Sequence, residues 1–179
     1  MTSLHYFHHA NDYWTSRVGG CPTADPEKSV NIVDLWQNNL DEPGKQGPAH
    51  AYNSTCRGGD IRLGASCTIH GPKADKVYGG YEDALFAQHA LDSLEQHNSS
   101  FPYFLFWAPH IVHTPLEVPP AFFNKFAFME ESDKPTHERQ TYHAMVDFAD
   151  QAIGNFTAAA KAKNMWDNMI VVFSADSEI

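Results

Sequence analysis

Residues 102–120 read PYFLFWAPHIVHTPLEVPP, and this stretch decides the fold. An apolar run at residues 103–108 is bounded by prolines, which is typical of a short strand buried on both faces, as in a parallel sheet. His110 and His113 follow, with a rigid Thr-Pro-Leu turn after them. Because open α/β sheets bind ligands beyond the carboxyl ends of their strands, His113 stands where such a fold carries its chemistry. The competing interpretation is a surface loop with two solvated histidines.

The second half of the chain supplies the other parts of an α/β repeat. Apolar residues at helical spacing predict helices over residues 81–97 and 136–163. The run MIVVF at residues 169–173 predicts a second buried strand, which leads into Asp176. The order helix, strand, loop, helix, strand predicts an α/β fold with a mostly parallel sheet flanked by helices.

The second helix carries two more specific expectations. Glycine costs about 1 kcal/mol in a helix relative to alanine, so we expect Gly154 to mark close packing against a strand. The apolar face expected to pack into the core comprises Tyr142, Met145, Val146, Ala149, Ala152, Ile153, Phe156 and Ala160.

Residues 1–80 are rich in turn-forming residues and show no helical period, so we predict a loop-rich half followed by an ordered half over residues 81–179. A core strand pattern close to Ile179 has no partner element after it. We therefore expect the chain to be an interior piece of one catalytic domain, with further portions of the same protein on both sides.

Composition excludes several classes of protein. The formal net charge of −10 argues against nucleic acid as a partner. No stretch approaches the 18 apolar residues of a membrane-spanning helix, and the first residues lack the features of a signal peptide. Three N-x-[ST] sequons, at Asn53, Asn98 and Asn155, nevertheless predict a glycosylated, secreted protein.

His113 and Asp176 are the strongest candidates for chemistry. Each follows a predicted strand, so the two side chains could share one crevice. A carboxylate suits a hard divalent cation, and a histidine can donate to an anionic oxygen or act as acid or base. Together they indicate metal-assisted hydrolysis of an anionic ester. The competing interpretation for Asp176 is a helix cap or a loop ion pair, and for His110 a packed or solvated side chain.

The cysteines, Cys21, Cys56 and Cys67, are odd in number, so at least one has no partner within the chain. Their spacing excludes C-x-x-C motifs, and one loop disulfide with one free thiol is the favoured interpretation. The chain contains no G-x-S-x-G, P-loop or G-x-G-x-x-G motif.

Four stretches, in order, resemble type I sulfatases of the arylsulfatase B-like group. The run FLFWAPHIVHTPLEVP at residues 104–119 is similar to the family's strand followed by V-H-x-P-L-x-V-P. YFHHANDYW at residues 6–14 resembles its Y-F-G…E-D-Y segment, and YEDALFAQHA at residues 81–90 resembles its Y-S-T…F-T…A helix. The fourth stretch, residues 142–176, contains YHAMV, DQAIGNFTAA and MWDNMIVVFSAD, which resemble Y-A-G-M-V, D-E-A-V-G-N-V-T-A-A-L and W-N-N-T…F-S-T-D-N-G.

The resemblance implies an alkaline-phosphatase-like α/β fold and hydrolysis of sulfate esters, such as aryl sulfates or sulfated glycans, in a secreted or lysosomal enzyme. It implies that His113 contacts the sulfate and that Asp176 is a Ca²⁺ ligand. Ser177 replaces the amide ligand of the D-N-G motif, and the disulfide maps onto Cys21 and Cys56.

The main departure from the family concerns its nucleophile, a formylglycine made from cysteine in C-x-P-x-R, because that motif is absent from this sequence. The chain alone is therefore expected to be inactive. Two alternatives are a phosphodiesterase-like member of the same superfamily and a non-catalytic secreted protein that binds sulfated glycans.

Overall fold

A computed structural model describes residues 2–5, 13–14, 17–18, 32–33, 35–39, 47–48, 53–54, 69–70, 81–129 and 134–175. Among these described residues, seven short strands lie in the first part of the chain: β1 (Thr2–His5), β2 (Arg17–Val18), β3 (Ile32–Val33), β4 (Trp36–Asn39), β5 (Gly47–Pro48), β6 (Asn53–Ser54) and β7 (Ile69–His70). The described residues after them form the α-helices α1 (Glu82–Gln96), α2 (Pro120–Phe123) and α3 (Lys134–Ala162). Asn124–Met129 and Trp166–Asn168 form 3-10 helices.

The strands of the described residues pair only in the antiparallel sense. β1, β4 and β5 form a three-stranded sheet in the order β1-β4-β5, in which Leu4 lies opposite Gln37. β2 pairs with β3, and β6 pairs with β7. The mostly parallel sheet expected from the sequence is not found among the described residues and stays a prediction.

Helix α1 confirms the helix predicted for residues 81–97. Glu82 and Asp83 occupy its first turn, where negative charge interacts favourably with the helix dipole. At the other end, the Lys163 ammonium donates to the carbonyl oxygens of Glu95 (2.8 Å) and His97 (3.0 Å). These two bonds satisfy carbonyls that the end of the helix leaves without a partner, and they tie α1 to the end of α3.

Helix α3 is present as predicted, but its buried face differs from the predicted stripe. Tyr142, Val146 and Ile153 belong to that stripe and are exposed. The buried face of α3 is formed by His137, Gln140, Thr141, Ala144, Met145, Phe148, Ala152 and Ala160. Its polar members are buried at little cost because they are hydrogen bonded, as when Thr141 Oγ1 donates to the His137 carbonyl (2.9 Å) and Gln140 Nε2 to the Phe123 carbonyl (3.3 Å).

Gly154 does not pack closely against a strand, so that prediction is wrong. The residue is exposed, and a Cβ added there would meet no atom within 4 Å. Gly154→Ala is therefore expected to stabilise the protein by about 1 kcal/mol, because alanine loses less backbone entropy in a helix. Urea unfolding measures this effect. The reciprocal control is Ala158→Gly at another exposed position of α3, which should destabilise the protein by a similar amount. If Ala158→Gly lowers the free energy of unfolding but Gly154→Ala leaves it unchanged, the explanation is contradicted.

The two runs predicted as buried strands are not assigned to strands. In residues 103–108 half-buried and exposed side chains alternate, with Phe104 88% and Phe106 81% exposed. In residues 169–173 the side chain of Ile170 is 94% exposed. A strand is buried on both faces only when neighbouring elements cover it, and none of the described residues pairs with either run. Their burial therefore stays unconfirmed.

The core lies between α1 and α3, which contact each other extensively. Side chains from α1, α3 and α2 meet there with Tyr13, Trp14 and Leu35. Val118 and Phe122 join the same cluster, so the segment that follows His113 is anchored in the core. Within the described residues, no helix is both long and apolar enough to cross a membrane.

Candidate functional site at the His113 turn

The His113 turn, residues 110–115, connects the apolar run to the anchored segment. The backbone N–H of His113 donates to the His110 carbonyl (3.0 Å), which closes the turn. His113 and Thr114 are exposed, whereas His110 before them and Glu117 after them are buried. The turn thus holds His113 at the surface between two buried ends.

The hydrogen bond of the His113 ring determines which nitrogen can meet a ligand. Its Nδ1 atom lies 2.6 Å from the carbonyl oxygen of Thr114. A carbonyl oxygen only accepts, so Nδ1 carries the hydrogen. In the neutral ring Nε2 is then an acceptor, and in the imidazolium form Nε2–H becomes a donor. His113 can therefore bind an anionic oxygen through Nε2 when it is protonated.

A column of four stacked rings runs from the surface into the core. The His113 ring stacks on His110 with centroids 5.6 Å apart, and His110 stacks on Tyr13 at 4.3 Å. Tyr13 in turn stacks on Tyr81 at 5.3 Å. The sequence offered a packed or a solvated side chain for His110, and the structure shows the packed one.

Hydrogen bonds from the buried Tyr13 and Tyr81 attach the His113 turn and the segment after it to the core. Tyr13 Oη donates to the His113 carbonyl (3.0 Å), and Tyr81 Oη donates to the Glu117 carbonyl (2.8 Å). The backbone N–H of Tyr13 also donates to Glu117 Oε2 (3.2 Å). Tyr13, Tyr81 and the His113 turn belong to three of the stretches that carry the family resemblance, and the structure brings them together.

Two buried acids at the start of α1 complete the site. Glu82 Oε1 lies 3.6 Å from His110 Nδ1, and Asp83 Oδ1 accepts the backbone N–H of His110 (3.1 Å). Burial, reinforced by the charge of Glu82, raises the pKa of Asp83 from 3.8 to about 7, although His110 and backbone N–H groups oppose the shift. Burial is also the main reason why the pKa of Tyr81 is raised well above 10.0, with Asp83 adding to the shift.

Sequence reasoning missed Asp83, Glu82 and Tyr13 as parts of the site. An acidic pair in the first turn of a helix usually faces solvent and favours the helix dipole. The available signal was the position of this pair directly after Tyr81, which opens one of the resembling stretches.

Several predicted site residues lie outside the described residues, namely Asp176, Ser177, Cys21 and Cys56. Asn53 is described only as part of β6, whereas Asn98 and Asn155 are exposed. In the part of the chain that the structure describes, no group of three His, Cys, Asp or Glu side chains could hold a metal ion.

Comparison with known proteins matches the chain to a family and to a curated relative. The family model described as Sulfatase matches residues 3–177. Arylsulfatase J of Mus musculus is 27% identical over 164 residues, which cover 83% of this chain and 27% of that protein. The chain thus spans about a quarter of the length of this curated relative.

Proposed function

The chain belongs to the sulfatase family, and we propose that it forms part of a sulfuric ester hydrolase of the arylsulfatase type, in which His113 binds the sulfate group. Family membership implies an α/β fold of the alkaline-phosphatase type. It also supports the sequence resemblance that assigns His113 to the sulfate. Aryl sulfates and sulfated glycans are the substrate classes proposed for the whole protein.

The observation that carries this proposal is the hydrogen bond between His113 Nδ1 and the Thr114 carbonyl (2.6 Å). It commits one ring nitrogen to the backbone and leaves Nε2 for a ligand on an exposed turn. A protonated imidazole donates to an anionic oxygen more strongly than a neutral donor does. The neutral ring would instead present a lone pair to the anion, so the proposal requires the protonated form.

A Ca²⁺ ion is part of the proposal through Asp176 and Ser177. A carboxylate and a hydroxyl are oxygen ligands of the kind that Ca²⁺ prefers. The described residues contain no group of three metal-binding side chains, so the remaining ligands would come from elsewhere in the protein. A bound cation would offset the negative charge of the sulfate oxygens.

The nucleophile of the resembled enzymes is formylglycine. None of Cys21, Cys56 and Cys67 lies in a C-x-P-x-R sequence, so no catalytic step is assigned to a cysteine of this chain. The purified chain is accordingly expected to bind aryl sulfates without hydrolysing them.

Secretion or lysosomal delivery is proposed with N-glycosylation, and Asn98 is the best-presented of the acceptors. It is exposed after the end of α1, and its Oδ1 accepts the backbone N–H of Ser100 (3.0 Å) in an Asx turn. Asn53 and Asn155 are the other two acceptors proposed.

Asn98→Gln is expected to remove one glycan when the protein is made in a secretory host, because glutamine is not an acceptor. Glycosidase treatment followed by gel mobility measures the change. Asn124→Gln, an exposed asparagine outside any sequon, is the matched control and should leave the glycan pattern unchanged. A mobility that is the same for Asn98→Gln and the unmodified protein would contradict glycosylation at Asn98.

The proposed function is tested by calorimetric titration with a simple aryl sulfate and with an aryl phosphodiester. Binding of the aryl sulfate at about pH 5 should be tighter than binding of the phosphodiester. A preference for the phosphodiester would favour the alternative member of the superfamily. Failure of the chain to bind the aryl sulfate would contradict the proposal.

A further inference from the structure

We propose that Asp83 is a positioning residue for His113: its buried carboxylate holds the backbone of the His113 turn and thereby selects the tautomer and orientation of the His113 ring. The role of that ring in binding sulfate rests on the proposed function. The structural link between Asp83 and the turn stands on contacts alone.

The first step is the hold of Asp83 on the turn. The residue is only 2% exposed. Its carboxylate accepts the backbone N–H of His110 through Oδ1 (3.1 Å). Buried backbone donors are nearly always paired, so removing this acceptor would force the His110 N–H to find another partner. The start of the turn therefore depends on one side chain from α1.

The second step leads from that hold to His113. Asp83 holds the N–H of His110, and the carbonyl oxygen of His110 accepts the N–H of His113 (3.0 Å). Tyr13 Oη fixes the His113 carbonyl (3.0 Å) on the other side. These bonds orient the peptides around His113, and their orientation sets whether Nδ1 can reach the Thr114 carbonyl. The tautomer of His113 is thus coupled to Asp83 across the turn.

The third step asks which property of Asp83 holds the turn, its oxygen acceptor or its charge. Oδ1 can accept the His110 N–H whether the carboxyl group is ionised or is protonated on Oδ2. Asparagine supplies a carbonyl oxygen in the same place, whereas alanine supplies none. The neighbouring Glu82 faces the His110 ring rather than the turn backbone in the contacts shown, with Oε1 3.6 Å from Nδ1. Asp83→Asn should therefore preserve the positioning that Asp83→Ala removes.

The experiment compares the unmodified protein, Asp83→Asn and Asp83→Ala by long-range ¹H–¹⁵N NMR of the histidine rings at about pH 8.5, where imidazoles are neutral. The unmodified protein and Asp83→Asn should show His113 as the Nδ1–H tautomer. In Asp83→Ala, His113 should shift toward the Nε2–H form. Affinity for an aryl sulfate, measured separately at about pH 5, should fall about tenfold because the ring loses its orientation. His143 is an internal control because its Nδ1 also bonds to a backbone carbonyl, that of Arg139 (2.7 Å), and it should keep its tautomer in all three proteins.

Three outcomes would overturn the inference. Asp83→Ala could retain the Nδ1–H tautomer of His113, Asp83→Asn could lose it as fully as Asp83→Ala does, or His143 could change together with His113, which would indicate general destabilisation. The tautomer requires no ligand, so a failure of sulfate binding in the unmodified protein would count against the proposed function alone.

Amide hydrogen exchange in the unmodified protein tests the same link if Asp83→Ala does not fold. The amide of His110 should exchange slowly because the Asp83 carboxylate accepts its hydrogen bond. Exchange as fast as that of the exposed Thr114 amide would overturn the inference.

Discussion

Asp83→Asn is expected to raise the free energy of unfolding at about pH 8. Between about pH 4 and pH 7, that free energy should decrease less in the variant than in the unmodified protein. Burial raises the pKa of Asp83 from 3.8 to about 7. Between these values the folded state keeps a proton that the unfolded state has released, so the free energy of unfolding falls as the pH rises. The stability that a protonated Asp83 gives relative to a buried carboxylate is fully present below about pH 4 and is lost as the pH rises through about 7. The cause is the cost of burying a carboxylate next to Glu82.

The size of the effect follows from the shift. A tenfold change in proton affinity corresponds to about 1.4 kcal/mol, so a rise of the Asp83 pKa from 3.8 to about 7 gives on the order of 4 kcal/mol at neutral pH. Asparagine does not titrate, and at acid pH the variant should resemble the protein with protonated Asp83. Urea unfolding at a series of pH values measures the difference.

Asp92→Asn, an aspartate-to-asparagine change further along α1, is the matched control for the substitution. An Asp83→Asn variant with the unmodified slope would show that Asp83 is not the group responsible.

Phe122→Ala is the substitution expected to destabilise the fold most. Phe122 is buried on α2, where its ring packs edge-on against Phe148 with centroids 5.1 Å apart. Truncating a buried phenylalanine removes apolar contacts and leaves a cavity, which together cost about 3–5 kcal/mol. The segment after the His113 turn is anchored at Val118 and Phe122, so its attachment to α3 should weaken as well. Chemical denaturation gives the loss of stability.

The control for this prediction is Phe128→Ala. Phe128 lies in the 3-10 helix that follows α2 and is exposed. Its truncation should change stability by no more than about 0.5 kcal/mol. Equal losses for Phe122→Ala and Phe128→Ala would contradict the assignment of Phe122 to the core.

The sequence predicts the elements of this chain better than their environment. Helices α1 and α3 follow from a repeated apolar period, which is a local signal. The apolar pattern identifies only part of the buried face of α3. Met145, Ala152 and Ala160 are buried as predicted, whereas the pattern does not register Thr141, which is buried with a hydrogen bond to the His137 carbonyl. The prediction for Gly154 is wrong for a related reason, because the free-energy cost of a glycine in a helix does not indicate which residues lie beside it.

Strands and site residues depend on partners that are distant in sequence. The runs at residues 103–108 and 169–173 have the composition of buried strands, but their burial requires neighbours that the local pattern does not identify. His113 could be singled out because proline-bounded apolar residues precede it. Asp83 and Tyr13 could not, since their bonds to the turn join residues 27 and 100 positions apart.

The binding of an aryl sulfate by His113→Gln tests the central claim most directly. Glutamine keeps polarity and approximate length but cannot become a cation. A hydrogen bond to a charged group contributes about 1.5–3 kcal/mol, so the affinity at about pH 5 should fall by about 10- to 100-fold. His143→Gln, at another exposed histidine whose ring bonds to a backbone carbonyl, should bind like the unmodified protein. Equal affinities for His113→Gln and the unmodified protein would contradict the assignment of His113 to the sulfate site.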